Sequence, residues 1–354
     1  FVLLVIAGVV GYLWYQAQLR PVDTASKDAQ DITITSDTSF SFLSERLAER
    51  GLIRNKFAFS LYAKLEGKDG ALKQGSCRIT PAESAAQILD KVTKGCDDYR
   101  NVIFYPGATI EEPLYKPSHA TLDQSVMSVR GALAKAGYSA ADIDSALKAT
   151  YDSPLFVDKP SSSSLEGYVY GETYHLSQAS TAKDALKESF KQMNTVIEKE
   201  GMKAKFSAHN LNLYQAITLA SIVQRELNCE GKPTTERTQR CYEYQRTIAQ
   251  IFLKRLATGE KLGSDVTFIY AADQMKVTPT VDLDSPYNTR RYAGLPPGPI
   301  ASPGLHALLA VANPSETDYL YFIAGDDGLI YFANTEAEHN KNIKNHCQQL
   351  CSEL

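Results

Sequence analysis

Residues 219–226, "LASIVQRE", end an apolar helical pattern on an amide, a guanidinium and a carboxylate. Ile222 and Val223 lie four and three residues before Glu226, so on a helix the three side chains share a face. Apolar neighbours remove water from a carboxyl group and raise its pKa, as a general acid working near neutral pH requires. By itself the spacing is a weak signal, because a solvated glutamate at a helix end gives the same pattern.

Length and composition describe a folded protein of moderate charge. The chain has 354 residues, 44% of them hydrophobic, and a formal net charge of −4. That length suggests two or three domains with a sizeable core, and the charge gives no reason to expect a nucleic-acid partner. The six histidines include no H-E-x-x-H and no triad spacing, which disfavours a zinc peptidase or a serine hydrolase. We expect no cofactor and no metal.

The first 16 residues, "FVLLVIAGVVGYLWYQ", carry no charge. A membrane-spanning helix needs about 20 apolar residues, and Tyr12, Trp14 and Tyr15 are typical of an interfacial aromatic belt. A cleaved signal peptide is the alternative, but the bulky "YLWYQ" is a poor cleavage site. We therefore predict a transmembrane anchor at 1–16 and a polar linker at 17–31. The protein would be single-pass, with its remaining chain outside the cytoplasm.

The cysteine count fits such an exported chain. Six cysteines are an even number, which in an oxidising compartment favours disulfides. Sequence proximity suggests the pairs Cys77–Cys96, Cys229–Cys241 and Cys347–Cys351, although six cysteines allow 15 connectivities. The last pair would join positions i and i+4 of a helix, which is awkward for a disulfide. A zinc site beside His346 is the alternative, but no C-x-x-C pair supports it.

Secondary-structure patterns divide the remaining chain into two parts and predict an α+β fold. Residues 32–98 alternate short strands and helices, including a helix N-capped by Thr80 with Pro81 at its first position. Later segments predict long helices, from about Thr181 to Lys199 and from about Leu211 to Arg225, and a third ending at Gly259. The segments "TFIYAA", "YLYFIAG" and "LIYFAN" are predicted to be strands.

Several ordered blocks around the opening stretch resemble a known family. "LASIVQRE" is followed by "LGSDVTFIY", "YNTRRYAGLPPGPIASPG" and "YFANTEAEHN", in the order seen in the MltG (YceG-like) endolytic murein transglycosylases. "LEGYVYGETY" at 165–174 looks like that family's "EGxxxPDTY" segment. The resemblance is strong over 165–345, and residues 32–98 resemble the family's LysM-like subdomain. It implies a transmembrane helix, a small LysM-like α/β subdomain at 32–98 and a mixed α+β catalytic domain at 99–354.

The resemblance also implies an activity and partners. Members of the family are bacterial cell-membrane enzymes that act on peptidoglycan glycan strands. They cut between N-acetylmuramic acid and N-acetylglucosamine within nascent strands, leaving 1,6-anhydromuramoyl ends and terminating elongation. A peptidoglycan synthase is the implied protein partner. The family's "ASIxEKE" stretch carries two glutamates; the second falls on Glu226, the implied catalytic residue, and the first is replaced by Gln224.

The same resemblance suggests substrate contacts of lower specificity. Glu166 and Thr173 are candidates for hydrogen bonds to sugar hydroxyls or for orienting Glu226, and Tyr168 and Tyr174 for stacking on pyranose faces. Core packing of a tyrosine-rich segment is the alternative. The family's Pro-Asp is replaced here by Gly171-Glu172, which leaves the role of that Asp open.

Two further segments match the family in part. Ser264 and Asp265 match its "Q[ST]D" turn, with Gly263 and Val266 as departures on either side. A second set matches well and is expected to contact substrate, with turn capping as the alternative role for the middle residue: Tyr287, Asn288 and Thr289. Glu338, His339 and Asn340 match the ending "EHN" and are interpreted as structural.

Two alternatives to a lytic transglycosylase stay open, and the departures at Gly171, Gly263 and Val266 favour the first. An anchored glycan-binding or scaffold protein of cell-wall synthesis would keep the fold and lose turnover. A hydrolase would use the same acid with water as nucleophile and give reducing-end products.

Overall fold

The structure, a computed structural model, describes residues 2–35, 37–96, 99–114, 128–229 and 235–352. It divides into two compact units. The first unit comprises Phe1–Arg100 and His175–Ala179, and the second comprises Asn101–Tyr174 and Ser180–Leu354. Helices and short two-stranded sheets make up both units, which confirms the α+β class. The assignments of residues 32–98 as LysM-like and 99–354 as catalytic stay predictions.

The first unit surrounds one small antiparallel sheet. Its elements are α1 (Val2–Gln18), β1 (Gln30–Ile34), α2 (Phe40–Glu49), α3 (Lys56–Leu65), β2 (Gly75–Ile79) and α4 (Ala85–Lys94). Strands β1 and β2 pair with Ile32 opposite Cys77. The alternation in β1 buries Ile32 and Ile34 while Asp31 and Thr33 stay exposed, as a sheet with one covered face requires. Cys77 is bonded to Cys96 after α4.

The N-terminal helix α1 contradicts the predicted membrane anchor at 1–16. Throughout the described ranges, no helix combines the length and the apolarity needed to cross a membrane. The prediction of a single-pass protein in the bacterial cell membrane, with an extracytoplasmic catalytic domain, is therefore wrong on this finding.

Helix α4 begins later than its sequence suggested. Ser84, and not Thr80, is the N-cap: its hydroxyl accepts from the Gln87 backbone N–H, and Gln87 Oε1 accepts from the Ser84 N–H at 2.8 Å. This reciprocal capping box satisfies two donors at once. Thr80 instead closes a turn, accepting at its carbonyl from the Glu83 N–H at 3.1 Å.

The second unit is mainly helical. Strands β3 (Tyr99–Ile103) and β4 (Thr173–Ser177) pair in a two-stranded sheet. The other elements of the second unit are α5 (Val129–Lys135), α6 (Ala140–Lys148), α7 (Ala182–Lys199), α8 (Met202–Ala208), α9 (Leu213–Glu226), α10 (Thr235–Thr258), α11 (Asp265–Met275), α12 (Leu305–Ala312), β5 (Tyr321–Ala324), β6 (Ile330–Ala333) and α13 (Glu336–His346). The three long predicted helices correspond to α7, α9 and α10, whereas α8 had no counterpart in the sequence analysis.

Helix α11 corrects the predicted strand "TFIYAA". All six residues from Thr267 to Ala272 are buried, so the segment shows neither helical nor strand periodicity in its apolar pattern. A short continuous apolar run is ambiguous for that reason. Lys276 ends the helix in the left-handed conformation with φ 56°. The other two predicted strands are found as the antiparallel pair β5 and β6.

The last disulfide avoids the difficulty that the sequence raised. Helix α13 ends at His346, so Cys347 caps it and Cys351 lies in the 3₁₀ turn Leu350–Ser352 that follows. The Cα atoms of Cys347 and Cys351 are 5.4 Å apart, within the usual range for a disulfide. The bridge therefore closes a turn after the helix and does not join two positions within it.

Candidate active site

Helix α9 places Glu226 at its last position. Asn212 caps the helix with Gln215 as its reciprocal partner, and every residue from Ala216 to Arg225 is buried. After Glu226 the chain turns extended at Leu227, with φ −147° and ψ 112°. The Leu227 carbonyl then accepts a hydrogen bond of 2.8 Å from the Gln245 side chain on α10. The residue that ends α9 is thus fixed from both sides.

The Glu226 side chain is partly buried and hydrogen-bonded. The Ser264 hydroxyl donates to its Oε1. Burial raises the pKa of Glu226 to about 7, and the neighbouring charge of Asp265 acts in the same direction. The hydrogen bond from Ser264 and the charges of Arg290 and Arg255 lower this pKa but do not cancel the effect of burial. A carboxyl group with this pKa can both donate and accept a proton near neutral pH.

A closed set of hydrogen bonds holds Ser264 in place. Its backbone N–H donates to Thr289 Oγ1 at 3.1 Å, and its carbonyl accepts from the Thr267 hydroxyl at 2.6 Å. The Thr289 N–H donates in turn to Thr267 Oγ1 at 3.1 Å. Gly263 has a left-handed backbone with φ 66°, a conformation that residues other than glycine rarely adopt. Its N–H donates to the Thr289 carbonyl at 3.0 Å.

Charged residues surround this carboxyl group. Asp265 and Arg290 form an ion pair, so the negative charge beside Glu226 is itself partly neutralised. Arg255 on α10 donates to the carbonyls of Leu262 and Leu320. His339 stacks on Tyr321 with ring centroids 5.2 Å apart. Burial and the charges of Arg255 and Arg290 lower the pKa of His339, so it is neutral near pH 7.

Comparison with known proteins identifies the family of this site. A sequence model of the YceG-like family matches residues 32–345. The chain belongs to the YceG-like family. The resemblance drawn from the ordered sequence blocks is therefore confirmed.

Two relatives and one solved structure are similar to this YceG-like chain over most of its length. A protein of Bacillus subtilis (strain 168) named "Endolytic murein transglycosylase" is 30% identical over 345 residues, covering 96% of this chain and 90% of the relative. A protein of the same name from Streptococcus pneumoniae (strain ATCC BAA-255 / R6) is 28% identical; the match covers 97% of this chain and 63% of that relative. A crystal structure of a YceG-like protein from Listeria monocytogenes has a TM-score of 0.45 and 28% identity, covering 89% of this chain and 99% of that one.

The residues predicted to contact substrate in this YceG-like chain differ in position and in burial. Ser264 and Asp265 lie beside Glu226. Tyr287 is partly buried. Thr173 is exposed in β4, and four others are buried: Tyr168, Tyr174, Asn288 and Thr289. Asn288 is completely buried, and its amide donates to the carbonyls of Val281 and Leu283 at 2.8 Å each. These bonds support the turn-organising role for Asn288; sugar contacts by this set stay predictions.

Glu166 belongs to a second buried cluster. It is 5% exposed, and its carboxyl accepts from the Ile110 N–H at 3.2 Å. Burial raises the pKa of Glu166 to about 7, while the charge of Arg225 and a hydrogen bond with Tyr270 lower it. Arg225 is also buried, and its own pKa is lowered by that burial. Glu166 and Glu226 thus have similar pKa values but different partners.

Replacing Glu166 with glutamine is expected to change how stability depends on pH. The folded pKa of about 7 lies above the unfolded value, so the neutral Glu166 contributes stability that is lost as pH rises from about 4.5 through 7. Glu166→Gln removes this dependence. Between pH 5 and pH 8.5 the wild type should lose roughly 3 kcal/mol more of its free energy of unfolding than the variant does. Urea unfolding at the two pH values measures it.

Glu188→Gln, at an exposed position on α7, controls for the loss of a negative charge. Parallel pH profiles for the wild type and Glu166→Gln would contradict the assignment of a shifted pKa to Glu166.

Gln224 replaces the first of the two glutamates in the family's "ASIxEKE" stretch, and it has a structural role. It is completely buried. Its Oε1 accepts from the Gly304 N–H at 2.9 Å, and its Nε2 donates to Asn228 Oδ1 at 2.9 Å. An amide serves both partners at once because it carries a donor and an acceptor.

Two residues near Glu226 were not singled out from the sequence: Arg255 and Arg290. Arg290 lies in the segment "YNTRRY", directly after the residues that matched the family well. This position in the sequence was the only indication that Arg290 belongs to the site. Arg255 follows an apolar helical pattern on α10, where a basic residue is usually solvated. Within the part of the chain that the structure describes, no group of three or more His, Cys, Asp or Glu residues is arranged to hold a metal ion.

The Cys229–Cys241 disulfide ties the segment after Glu226 to α10. Their Cα atoms are 5.5 Å apart, and Cys229 lies three residues beyond the carboxyl group. A crosslink here limits how far the chain after the acid can move. The same pairing was suggested by sequence proximity, and thiol counting with and without reductant tests it.

Ser264→Ala is expected to shift the pH profile of the reaction. The hydroxyl of Ser264 lowers the pKa of Glu226, so its removal raises that pKa above about 7. The protonated acid then persists at higher pH, and the alkaline limb of kcat/KM moves to higher pH. The maximal rate should fall by about tenfold because the acid loses its orienting hydrogen bond.

Asp265→Asn tests the opposite direction. The charge of Asp265 raises the pKa of Glu226, so this variant should move the alkaline limb to lower pH. Shifts of both variants in the same direction would contradict the electrostatic account.

Proposed function

We propose that this chain is an endolytic peptidoglycan lytic transglycosylase in which Glu226 is the single general acid and base. It would cleave bonds between N-acetylmuramic acid and N-acetylglucosamine in nascent glycan strands and leave 1,6-anhydromuramoyl ends, which terminates elongation. One observation carries the proposal: a partly buried glutamate at the end of α9, held by Ser264, has its pKa raised to about 7.

The coarser part of this function has independent support. The named relatives are endolytic murein transglycosylases, and the prediction of a lytic transglycosylase acting on peptidoglycan is confirmed at the level of the family. The bond cleaved, the anhydro product and the roles of individual residues belong to the proposal. A peptidoglycan synthase as partner is likewise proposed from the family alone.

The proposed reaction needs one carboxyl group, unlike glycosidases that use two. Protonated Glu226 donates its proton to the glycosidic oxygen as the bond from that oxygen to C1 of muramic acid breaks. The resulting carboxylate takes the proton of the C6 hydroxyl of the same sugar, and O6 forms the new bond to C1. The products are a 1,6-anhydro end and a free C4 hydroxyl on N-acetylglucosamine, and Glu226 recovers its proton.

The position of Glu226 suits this proton cycle. Its pKa of about 7 leaves a large protonated fraction at neutral pH, so donation does not require an acidic medium. The attacking hydroxyl is part of the substrate, so its effective molarity is high and the enzyme need not position a water molecule. Arg255 and Arg290 stabilise the carboxylate that forms after donation.

Digestion of purified peptidoglycan with the wild type and Glu226→Gln tests the proposal. Mass spectrometry of the released fragments should show anhydro ends with the wild type and none with the variant. Fragments heavier by one water would establish a hydrolase. If neither protein releases fragments while both bind glycan, the scaffold alternative is correct.

A further inference from the structure

A cavity lies at the opposite end of α9 from Glu226. Its volume is about 560 Å³, within the range typical of pockets that bind small ligands. Four parts of the second unit form its walls: Asp158 and Pro160; seven residues between His209 and Thr218, including the first turn of α9; the end of α10 at Leu253, Leu256 and Ala257; and the loop residues Leu295 and Pro296.

The cavity and Glu226 lie along one side of α9. Gln215 lines the cavity and precedes Glu226 by 11 positions. Eleven helical positions correspond to three full turns and about 20°, so the two side chains leave α9 in nearly the same direction. The axial separation of these two positions is about 16 Å. A ligand that reaches both places must be long, as a segment of a polymer is and a single sugar is not.

The lining indicates an uncharged ligand that is polar on one side and apolar on the other. Asn210, Asn212, Gln215 and His209 supply amide and imidazole groups. A different wall consists of aliphatic side chains: Leu253, Leu256, Leu295 and Pro296. Among the described residues that line the cavity, the charged side chain is the carboxylate of Asp158, which accepts from the Leu213 N–H at 2.9 Å. A carboxylate disfavours an anionic ligand.

We infer that this cavity binds an uncharged N-acetylated sugar of the same glycan strand, at a distance from the bond that is cut. The inference rests on the proposed function, because the polymer that would occupy both places is the proposed substrate. Amides and an imidazole suit the hydroxyl and acetamido groups of such a sugar, and the aliphatic wall suits its C–H face. Binding energy from a remote sugar can be used at the reacting bond, which favours cleavage within a long strand.

Asn210 offers a substitution that removes a polar group without straining the chain. Its φ is 59°, and Lys276 is the other non-glycine residue with positive φ among those described, at 56°. Glycine adopts this conformation freely, so Asn210→Gly deletes the amide from the cavity and preserves the backbone. Lys276→Gly makes the same backbone change at the end of α11, outside the cavity lining.

A second variant fills the cavity directly. Ala257 is exposed and lines the cavity from the last turn of α10, so Ala257→Trp places an indole there. Lys191→Trp on α7 is the matched control, because the Lys191 side chain is 74% exposed and does not line the cavity. Thermal unfolding of each variant shows that it is folded before binding is measured.

Binding of chitotetraose, an uncharged oligomer of N-acetylglucosamine, to the full chain tests the inference by calorimetry and by NMR shift mapping. We expect shifts at residues 209–215. The Kd should rise about three- to tenfold in Asn210→Gly, and more in Ala257→Trp, with both controls unchanged. No binding to the wild type, shifts confined to the surroundings of Glu226, or unchanged Kd values in both cavity variants would overturn it.

The two proposals fail separately. If the wild type releases anhydro-ended fragments while the cavity variants bind chitotetraose normally, the cavity inference is wrong and the proposed function stands. If the wild type releases nothing from peptidoglycan and still binds chitotetraose at residues 209–215, sugar binding in the cavity is supported and the proposed function is wrong.

Discussion

Glu226→Gln is expected to lower the rate of glycan cleavage by about 10³-fold or more, because it removes the proposed sole proton donor. The substitution preserves shape and keeps an acceptor for the Ser264 hydroxyl, which donates to Glu226 in the wild type. The neutral amide also resembles the protonated acid, so the fold and the affinity for glycan should persist. Release of anhydro-ended fragments per unit time measures the rate, with binding to insoluble peptidoglycan measured alongside.

Glu166→Gln is the matched comparison for this result. Burial also raises the pKa of Glu166 to about 7, so an elevated pKa alone does not distinguish the two glutamates. Glu166 is almost completely buried and faces the Ile110 N–H, Tyr270 and Arg225. We therefore expect a much smaller loss of rate in Glu166→Gln. A loss of rate in Glu166→Gln equal to that in Glu226→Gln would contradict the assignment of a single acid.

Gly167→Ala is expected to lower the free energy of unfolding by roughly 2–4 kcal/mol, combining a left-handed backbone with overpacking. Gly167 has φ 83°, and an added Cβ would lie 2.3 Å from Cβ of Pro299 and 3.3 Å from Cγ2 of Ile217 on α9. Neither neighbour is a flexible side chain that can turn away. Chemical denaturation monitored by tyrosine fluorescence measures the change.

Gly201→Ala separates the two contributions to this loss. Gly201 also has a left-handed backbone, with φ 61°, but an added Cβ would meet nothing within 4 Å. It should therefore show the backbone cost alone, about 1–2 kcal/mol. Equal losses in the two alanine variants would mean that the contact between Gly167 and Pro299 contributes nothing.

The sequence predicted the helix that carries the candidate acid but not the contacts that the acid makes. The apolar run from Leu211 to Arg225 has helical spacing and helical length, and both are local properties. Glu226 was singled out on that helix and on the family pattern. The surroundings of Glu226 depend on residues distant in sequence: Ser264 is 38 positions away, and a single sequence holds no local signal for such a contact.

The errors also have physical causes. "TFIYAA" was predicted to be a strand because a fully buried helix loses its apolar periodicity. The membrane span over residues 1–16 was predicted from apolarity alone, whereas no helix in the described ranges combines the length and the apolarity to cross a membrane. Asn288 is not one of these errors: it holds a turn through Val281 and Leu283, and its sugar contact stays a prediction.

The loop from Leu295 to Gly304 determines where insertions can be accepted. Tyr214 donates to the Pro297 carbonyl at 2.8 Å, the Ile300 N–H donates to Ser221 at 3.0 Å, and the Gly304 N–H donates to Gln224. These three bonds each join one position of the loop to one residue of α9. One extra residue between any two of the bonds would therefore break at least one of them. Natural variation in length should therefore avoid this loop and occur in exposed turns.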